Sequence, residues 1–361
     1  MATTFDTDTE IGTDGIGSEF EFSTDTDGPV TLQVVARQAG VSPSTVSRIL
    51  NGTANVSEAK RASVERAIES LGFRPNLVAR SLAGGRTMTV GVLTQYIDSP
   101  FYGAGVRGIE EILTGRGFTP IVTSGLWDED RERRSLWDFV ERKVDGLIVL
   151  TSRLSDEELK AFAEKLPLVV TGRDLGPAEV QSIDFDNRLA GRVAAEHLVN
   201  LGHREISVIT GMRDHKDSDE RLEGILTEVE SAGLSIDRRL VVVGDYHERG
   251  GHRAMRSVIA AGVPFSAVIA LNDQMALGAM LALRQSGLRV PEDVSVVGMD
   301  DLPAAAFYAP PLTTVAQPVY QMGKTAAELL LRRLAGELVG PQPAQIVEPY
   351  LAVRESTKRV I

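Results

Sequence analysis

Cysteine is absent from the 361 residues, which excludes a disulfide scaffold, a thiolate metal centre and a cysteine nucleophile. No apolar run approaches the ~18 residues that a membrane-crossing helix needs. The opening MATTFDTDTEIGTDG is acidic and polar. It reads as neither a signal peptide nor a transit peptide, so a cytoplasmic location is the default expectation. What is present is a chain long enough for two or three domains with real cores, 43% hydrophobic and 24% charged.

The formal net charge of −12 hides an uneven distribution. Residues 1–28 hold eight acids and no base, 29–86 hold eight Lys or Arg against three acids, and 87–361 hold 30 against 39. A basic module between an acidic tail and an acidic body predicts one surface for a polyanion and another for a different partner. Residues 1–28 are rich in Thr, Asp and Gly and poor in large apolar side chains. They cannot bury enough surface to offset ordering entropy and are expected to be a disordered tail.

Periodicity predicts three short helices in a domain at 29–73. Thr31 is placed to cap LQVVARQA, whose Leu32, Val35, Ala36 and Ala39 share one face, and Gly40 stops it. Ser42 caps a second helix, PSTVSRILN, with Pro43 at its first position and Val46, Ile49 and Leu50 inward. Asn51-Gly52 breaks it. Ser57 caps a third, EAKRASVERAIESL, closed by Gly72. Two helices joined by a glycine-containing turn make a helix-turn-helix. Ser44, Thr45, Ser47 and Arg48 point outward from the second helix. Short hydroxyls reach base edges or phosphates, and a guanidinium takes guanine O6/N7 or a phosphate. A plain three-helix bundle with a polar face is the reading the pattern leaves open. A linker at 74–86 contains NLVARSLA, capped by Asn76. That stretch is shorter than the ~12 residues at which isolated helices become marginal, so it is expected to order only against a partner.

From 87 onward, short Val/Ile-rich runs alternate with amphipathic stretches: TVGVL, TPIVT, DGLIVL, PLVVT, ISVIT, LVVVG, SAVIA and VSVVG, with SIDFD and QIVEPYLAV as further strands. Such alternation predicts parallel sheets covered on both faces, arranged as two doubly wound α/β lobes with a cleft between them. Ligands in such folds lie beyond the carboxyl ends of strands. Arg188 follows SIDFD, Asn272-Asp273 follow SAVIAL, Asp300-Asp301 follow SVVGM, and Gln317 follows PPLTTVA. Carboxylate, amide and guanidinium groups can each bridge vicinal hydroxyls, and an aromatic can stack on a sugar face. Tyr96, Phe101, Tyr102 and Trp127 are the available rings, and Asp273 is expected to cap its helix.

Enzymatic readings fare poorly. Gly103, Gly105 and Gly108 spell GxGxxG, but ten residues beyond the strand and with no acid ending the next one, which argues against a dinucleotide. His247-Glu248 precedes His252 by one residue too many for a zinc-binding HExxH, and no GxSxG elbow appears. The five histidines form no ligand cluster, and His203 is expected to organise a helix-to-strand turn. No catalytic residue, metal or cofactor is expected.

VTLQVVARQAGVSPSTVSRILNG, followed by VSEAKRASVERAIESLGFRPNLVARSLAGGRT, resembles the DNA-binding headpiece and hinge of the lactose/galactose repressor (LacI/GalR) family. SPFYGAGVRGIEEIL, DFDNRLAGRVAAEHLVNLGHREISVITG, NDQMALGAMLALRQSGLRVPEDVSVVGMDD and PPLTTVAQPVYQMG resemble its sensor domain, akin to periplasmic sugar-binding proteins. The resemblance covers 30–353. It implies a homodimeric repressor of carbohydrate-utilisation genes on a pseudo-palindromic operator, with a sensor and dimerisation domain at 87–361. Paired hinge helices would place Leu82 as a minor-groove wedge beside the small Ala79. The DNA-side residues implied also include Thr31, Leu32, Ser42, Pro43, Asn51, Asn55, Val56 and Asn76. On the effector side it implies Arg188, Asn272, Asp300 and Gln317, with Gln95, Tyr96, Phe101, Tyr102, Arg173 and Ile225 around them. The chain departs from the family pattern in three places. Ile225 stands where some members stack a tryptophan, Gly172-Arg173 where some carry an aspartate, and Pro43-Ser44 where longer base-reading side chains occur. A sugar that releases the operator is the first reading. A corepressor such as a purine, and a sugar-binding protein of the transport type that does not bind DNA, are the alternatives.

Overall fold

The computed structural model describes residues 30–50, 56–73, 86–176, 180–338, 340 and 342–360. The chain divides into two compact units, one up to Ala79 and one from Arg80.

In the first unit, α1 (Leu32–Ala39), α2 (Pro43–Leu50) and α3 (Glu58–Ser70) enclose Val35, Ala36, Val46, Ile49, Val64, Ala67 and Phe73. Gly40 ends α1 with φ +70, its N–H bonding Arg37 O while Val41 N–H bonds Ala36 O. That left-handed turn lets the chain reverse into α2 without a Cβ penalty. Thr31 and Ser57 hold the expected cap positions, but neither side chain makes a cap hydrogen bond. Gln38 and Ser63 tie α1 to α3 through Ser70 Oγ (2.7 Å) and Ala39 O (3.1 Å).

The second unit is two α/β lobes. The sheet of lobe 1 has the order β11-β5-β4-β3-β1-β2. Its strands are β1 (Thr89–Thr94), β2 (Thr119–Ser124), β3 (Gly146–Leu150), β4 (Leu168–Thr171), β5 (Gln181–Phe185) and β11 (Gln345–Val347), all parallel. The sheet of lobe 2 has the order β12-β10-β9-β8-β6-β7. It comprises β6 (Ile206–Thr210), β7 (Val241–Val243), β8 (Ala267–Ala270), β9 (Ser295–Asp300), β10 (Thr313–Ala316) and β12 (Tyr350–Ala352), with only β12 antiparallel. Helices α4 (Pro100–Gly115), α5 (Glu129–Glu141), α6 (Asp156–Ala163) and α11 (Val319–Leu334) belong to lobe 1. Helices α7 (Asn187–Asn200), α8 (Lys216–Ser231), α9 (Glu248–Ala260) and α10 (Asp273–Gln285) belong to lobe 2. Strands such as β3 and β6 are buried at every residue, as sheets covered on both faces require.

The chain passes between lobes three times: at Asp186, at Gln317-Pro318 and at Glu348-Pro349. QIVEPYLAV is therefore not the single strand expected. Pro349 offers no N–H to a ladder, and the run splits into β11 in one sheet and β12 in the other. Gly103, Gly105 and Gly108 lie inside α4. A Cβ on Gly108 would stand 2.2 Å from Tyr320 O, and one on Gly323 would stand 2.2 Å from Gly105 O. The second and third glycines of GxGxxG, Gly105 and Gly108, thus pack against α11, whereas Gly103 does not. His203 does organise its turn, bonding Ser266 Oγ (2.9 Å) and Lys358 O (3.1 Å).

Candidate effector cleft and DNA-reading helix

On α2, Ser42, Pro43, Ser44 and Arg48 are exposed, and Thr45 and Ser47 are half-buried. Ser42 Oγ lies 2.9 Å from Ser44 Oγ and 2.8 Å from Thr45 Oγ1, and it accepts from Thr45 N–H at 3.2 Å. Arg48 Nε donates to Ser44 O at 3.3 Å. The helix presents a hydroxyl cluster followed by a guanidinium, the donor-rich profile a major groove accepts. Thr31 is exposed at the start of α1, whereas Leu32 and Val56 pack against the small core. Asn51, Asn55, Asn76, Ala79 and Leu82 lie outside the described residues.

In the second unit, a narrow cavity lies between the lobes at the carboxyl ends of both sheets. Lobe 1 contributes Tyr96, Ser99, Phe101, Tyr102, Trp127 and Thr151. Lobe 2 contributes Asp217, Arg221, Tyr246, His247, Asn272, Gln274 and Asp300, and the second crossing contributes Gln317. Rings meet across the gap: Tyr96 lies edge-on to His247 at 5.2 Å, and Trp127 lies against His215 at 4.4 Å.

Arg221 organises the floor. It is 5% exposed. Nε donates to Asn187 Oδ1 (2.8 Å), one Nη to Leu271 O (2.7 Å) and the other to Gln317 Oε1 (2.9 Å). Asn187 follows the first crossing and Gln317 belongs to the second, so one guanidinium ties both to the end of β8. Asp217, one turn earlier on α8, has its carboxyl raised by burial against the opposing pull of Arg221. Asn272 caps α10, accepting from Met275 N–H at 2.9 Å, while its amide donates to Tyr246 O at 2.9 Å. Asp273, the expected cap, is instead fully buried, accepting from Leu302 N–H (2.8 Å) and paired with Thr314 Oγ1 (2.5 Å). Tyr102 OH meets Thr151 Oγ1 at 3.1 Å, and burial holds the phenols of Tyr102 and Tyr246 above their usual range.

Four expected effector residues are placed elsewhere. Arg188 is the principal correction. It points away from the cavity, with its guanidinium on Glu220 (2.8 Å) and Glu223 (2.9 Å), because a helix turns about 100° per residue and Asn187 takes the inward place. Ile225 is core, packed where α7 and α8 touch. Arg173 is occupied by Leu154 O, Ser152 O and Asp156. Gln95 is fully buried, its amide donating to Glu132 (2.9 Å) and Thr151 O (3.1 Å) while its Oε1 accepts from Trp127 N–H (2.7 Å). It therefore holds the Trp127 loop rather than lining the cavity. The sequence reading missed Tyr246 and His247, which follow the carboxyl end of β7 by three and four residues, and Asp217 and Arg221, which lie within α8. For the latter two the i,i+4 spacing at a helix start after β6 is the available signal.

Backbone strain marks the same place. Nine described non-glycine residues have positive φ. Five of them, Trp127, Thr151, Asp214, Tyr246 and Asp300, line this cavity or the chamber that adjoins it. Each such residue costs on the order of 1–3 kcal/mol and persists where function maintains it. A larger, more open groove on the outside of lobe 2, along Leu277, Leu281 and Phe307, has no such residue.

Residues 31–76 match the family described as bacterial regulatory proteins, lacI family, and 195–357 match the periplasmic binding protein-like domain. The ribose operon repressor of Escherichia coli (strain K12) is 37% identical over 329 residues, covering 90% of this chain and 99% of its own length. The chain belongs to the lacI family of bacterial regulatory proteins. Among solved lacI-family structures, the lac repressor dimer bound to operator and the anti-inducer ONPF superimposes with a TM-score of 0.80 at 31% identity, covering 92% of this chain and 100% of that one. A complex of the transcriptional regulator CelR with cellobiose gives a TM-score of 0.68 at 38% identity, covering 91% of this chain and 99% of that one. The chain is thus a helix-turn-helix transcriptional regulator with a two-lobed sensor. Among the described residues no helix is long and apolar enough to cross a membrane.

Asp300 gives this cleft a pH dependence. Burial pushes its carboxyl up to about 7, with Arg221 pulling the other way. The ionised form is the one that accepts two sugar hydroxyls. Effector affinity is therefore expected to be full above about pH 8 and to fall up to about tenfold per unit as pH drops through 7. Stability moves oppositely: a carboxyl raised in the fold stabilises the empty protein at low pH and loses that contribution as pH rises through about 7. Calorimetric titration of the effector between about pH 6 and 8 checks the first trend. A flat profile, or one unchanged by Asp300→Asn, would contradict it.

Proposed function

We propose that this regulator is a homodimeric, cytoplasmic repressor that holds a pseudo-palindromic operator through α2 and is released when a sugar closes the two lobes on Arg221. No enzymatic turnover is assigned to the cleft. One observation carries the reading: a single chain joins an exposed hydroxyl-and-arginine helix to a cleft whose buried guanidinium is stapled across two of three interlobe crossings. Polar groups of both signs beside aromatic rings suit a polyhydroxylated ligand. Named relatives are a ribose operon repressor and a CelR solved with cellobiose, which supports a carbohydrate here. The outer groove with exposed Leu281 and Phe307 (87% exposed) suits burial against a second copy.

Selection of binding sites from random duplex tests this directly. Inverted repeats, bound less tightly in the presence of a sugar, are expected. Recovery of no enriched site would sink the reading. Arg48→Ala is expected to weaken the selected operator by about 1–3 kcal/mol if Arg48 reads a base. Fluorescence anisotropy against operator and random duplex separates base reading, which relaxes specificity, from a phosphate contact, which weakens both equally.

A further inference from the structure

The effector cavity is not alone. A second chamber adjoins it and shares three of its walls, Trp127, Thr151 and Asp217. The indole of Trp127 stands where the two meet, so the spaces lie side by side along one cleft. Their chemistry differs. The first is ringed by Tyr96, Phe101, Tyr102 and Tyr246. The second is bounded by Arg153, Lys216, His215 and Asp214.

The second chamber keeps hydrogen-bonding capacity unused by the fold. Arg153 Nε is 3.6 Å from Glu129, its Nη1 is 3.5 Å from His215 Nε2, and Lys216 Nζ is 3.8 Å from Glu220. These distances exceed those of good charge-assisted bonds, so donors remain for a ligand. Arg173, by contrast, is consumed by its own loop. Asp214 and Asp217 line the same chamber as the two cations. Donors and acceptors mixed in this way suit neutral hydroxyls.

Trp127 is held at the junction against strain. It and Leu126 both have φ 56, a conformation L-residues avoid. Gln95 stabilises it with both its carbonyls: Oε1 accepts from Trp127 N–H and the backbone O accepts from Leu126 N–H at 3.0 Å. Glu132 locks that glutamine in turn.

We propose that the effector is a neutral ligand of two sugar rings, one seated among the tyrosines of the first chamber and the other beyond the Trp127 indole between Arg153 and Lys216. Because this rests on the sugar reading of the cleft, the test separates the two. The full chain is titrated calorimetrically with glucose, galactose and ribose, with cellobiose, maltose and lactose, and with glucose 6-phosphate. At least one disaccharide is expected to bind about 100-fold tighter than its component monosaccharides. Lys216→Ala and Arg153→Ala are expected to cut that ratio about tenfold each. A monosaccharide binding as tightly as any disaccharide, or a ratio unmoved in both variants, overturns the two-ring inference and leaves the sugar reading standing. Tighter binding of the phosphorylated sugar overturns the neutral second unit. Silence of every carbohydrate overturns the sugar reading and this inference with it.

Discussion

Arg221→Ala is expected to yield a repressor that still binds its operator and no longer answers its effector. The substitution removes three charge-assisted donors and leaves Asn187 Oδ1, Leu271 O and Gln317 Oε1 facing the cleft without them. Leaving such groups unpaired costs on the order of 3 kcal/mol, which lowers the melting temperature by several degrees without unfolding a chain of this size. The larger consequence is functional. The guanidinium both faces the ligand and joins two crossings, so without it a bound sugar has little leverage on lobe angle. An effector shifts a two-state element only by its differential affinity for the two states. Arg221→Lys keeps the charge but cannot reach three acceptors from one ammonium, and a weakened response is expected. Arg188→Ala is the control. Its side chain is 54% exposed, paired with the exposed Glu223 and the largely covered Glu220 outside the cavity, and solvent screens such a pair, so the response should be intact. Operator release followed by anisotropy decides between them. An Arg221→Ala protein that melts cooperatively and releases DNA at the wild-type effector concentration would refute this assignment of the cleft.

The contrast between Arg188 and Arg221 shows where sequence reasoning stops. Strand runs such as GLIVL and ISVIT are legible because only a sheet covered on both faces tolerates unbroken Val and Ile. The headpiece is legible because Gly40, Pro43 and the i,i+3,i+4 stripe of Val46, Ile49 and Leu50 act locally. Tyr96, Asn272, Asp300 and Gln317 line the cavity because each sits within two residues of a strand's carboxyl end, and Phe101 and Tyr102 because they open the helix that follows β1. Arg188 satisfies the same rule and fails. β5 ends at a lobe crossing, and the inward position of the following helix falls to its first residue. Arg221 lies eleven residues beyond β6, next to the apolar stripe Leu222, Ile225, Leu226 and Val229, which marks the buried face of α8 but not what its first turns meet. Its placement depends on α7, a tertiary fact. QIVEPYLAV reads as one strand because periodicity carries no information about which sheet a residue joins.

That dependence on α7 can be tested where no ligand is touched. Gly224→Ala is expected to destabilise the sensor and abolish effector binding together. Helices α7 and α8 pack backbone to backbone. A Cβ on Gly224 would stand 2.0 Å from Arg188 O, and one on Gly191 would stand 2.0 Å from Arg221 O. Alanine gains up to about 1 kcal/mol of helix propensity over glycine. Real Cβ atoms do not approach a carbonyl oxygen that closely, so the helices must separate by roughly 1 Å, and overpacking of this kind costs typically 1–3 kcal/mol. The clash wins. Its functional effect exceeds its cost, because α8 carries Asp217 and Arg221 on its first turns and a displacement of that order breaks the Asn187 and Gln317 bonds. Gly103→Ala on α4 provides the opposite case: a Cβ there meets nothing within 4 Å, and a small stabilisation is expected from the same propensity gain. Thermal melting with and without effector reads both. A Gly224→Ala protein that melts like wild type and binds effector normally would mean that the close approach of α7 and α8 does not position Arg221.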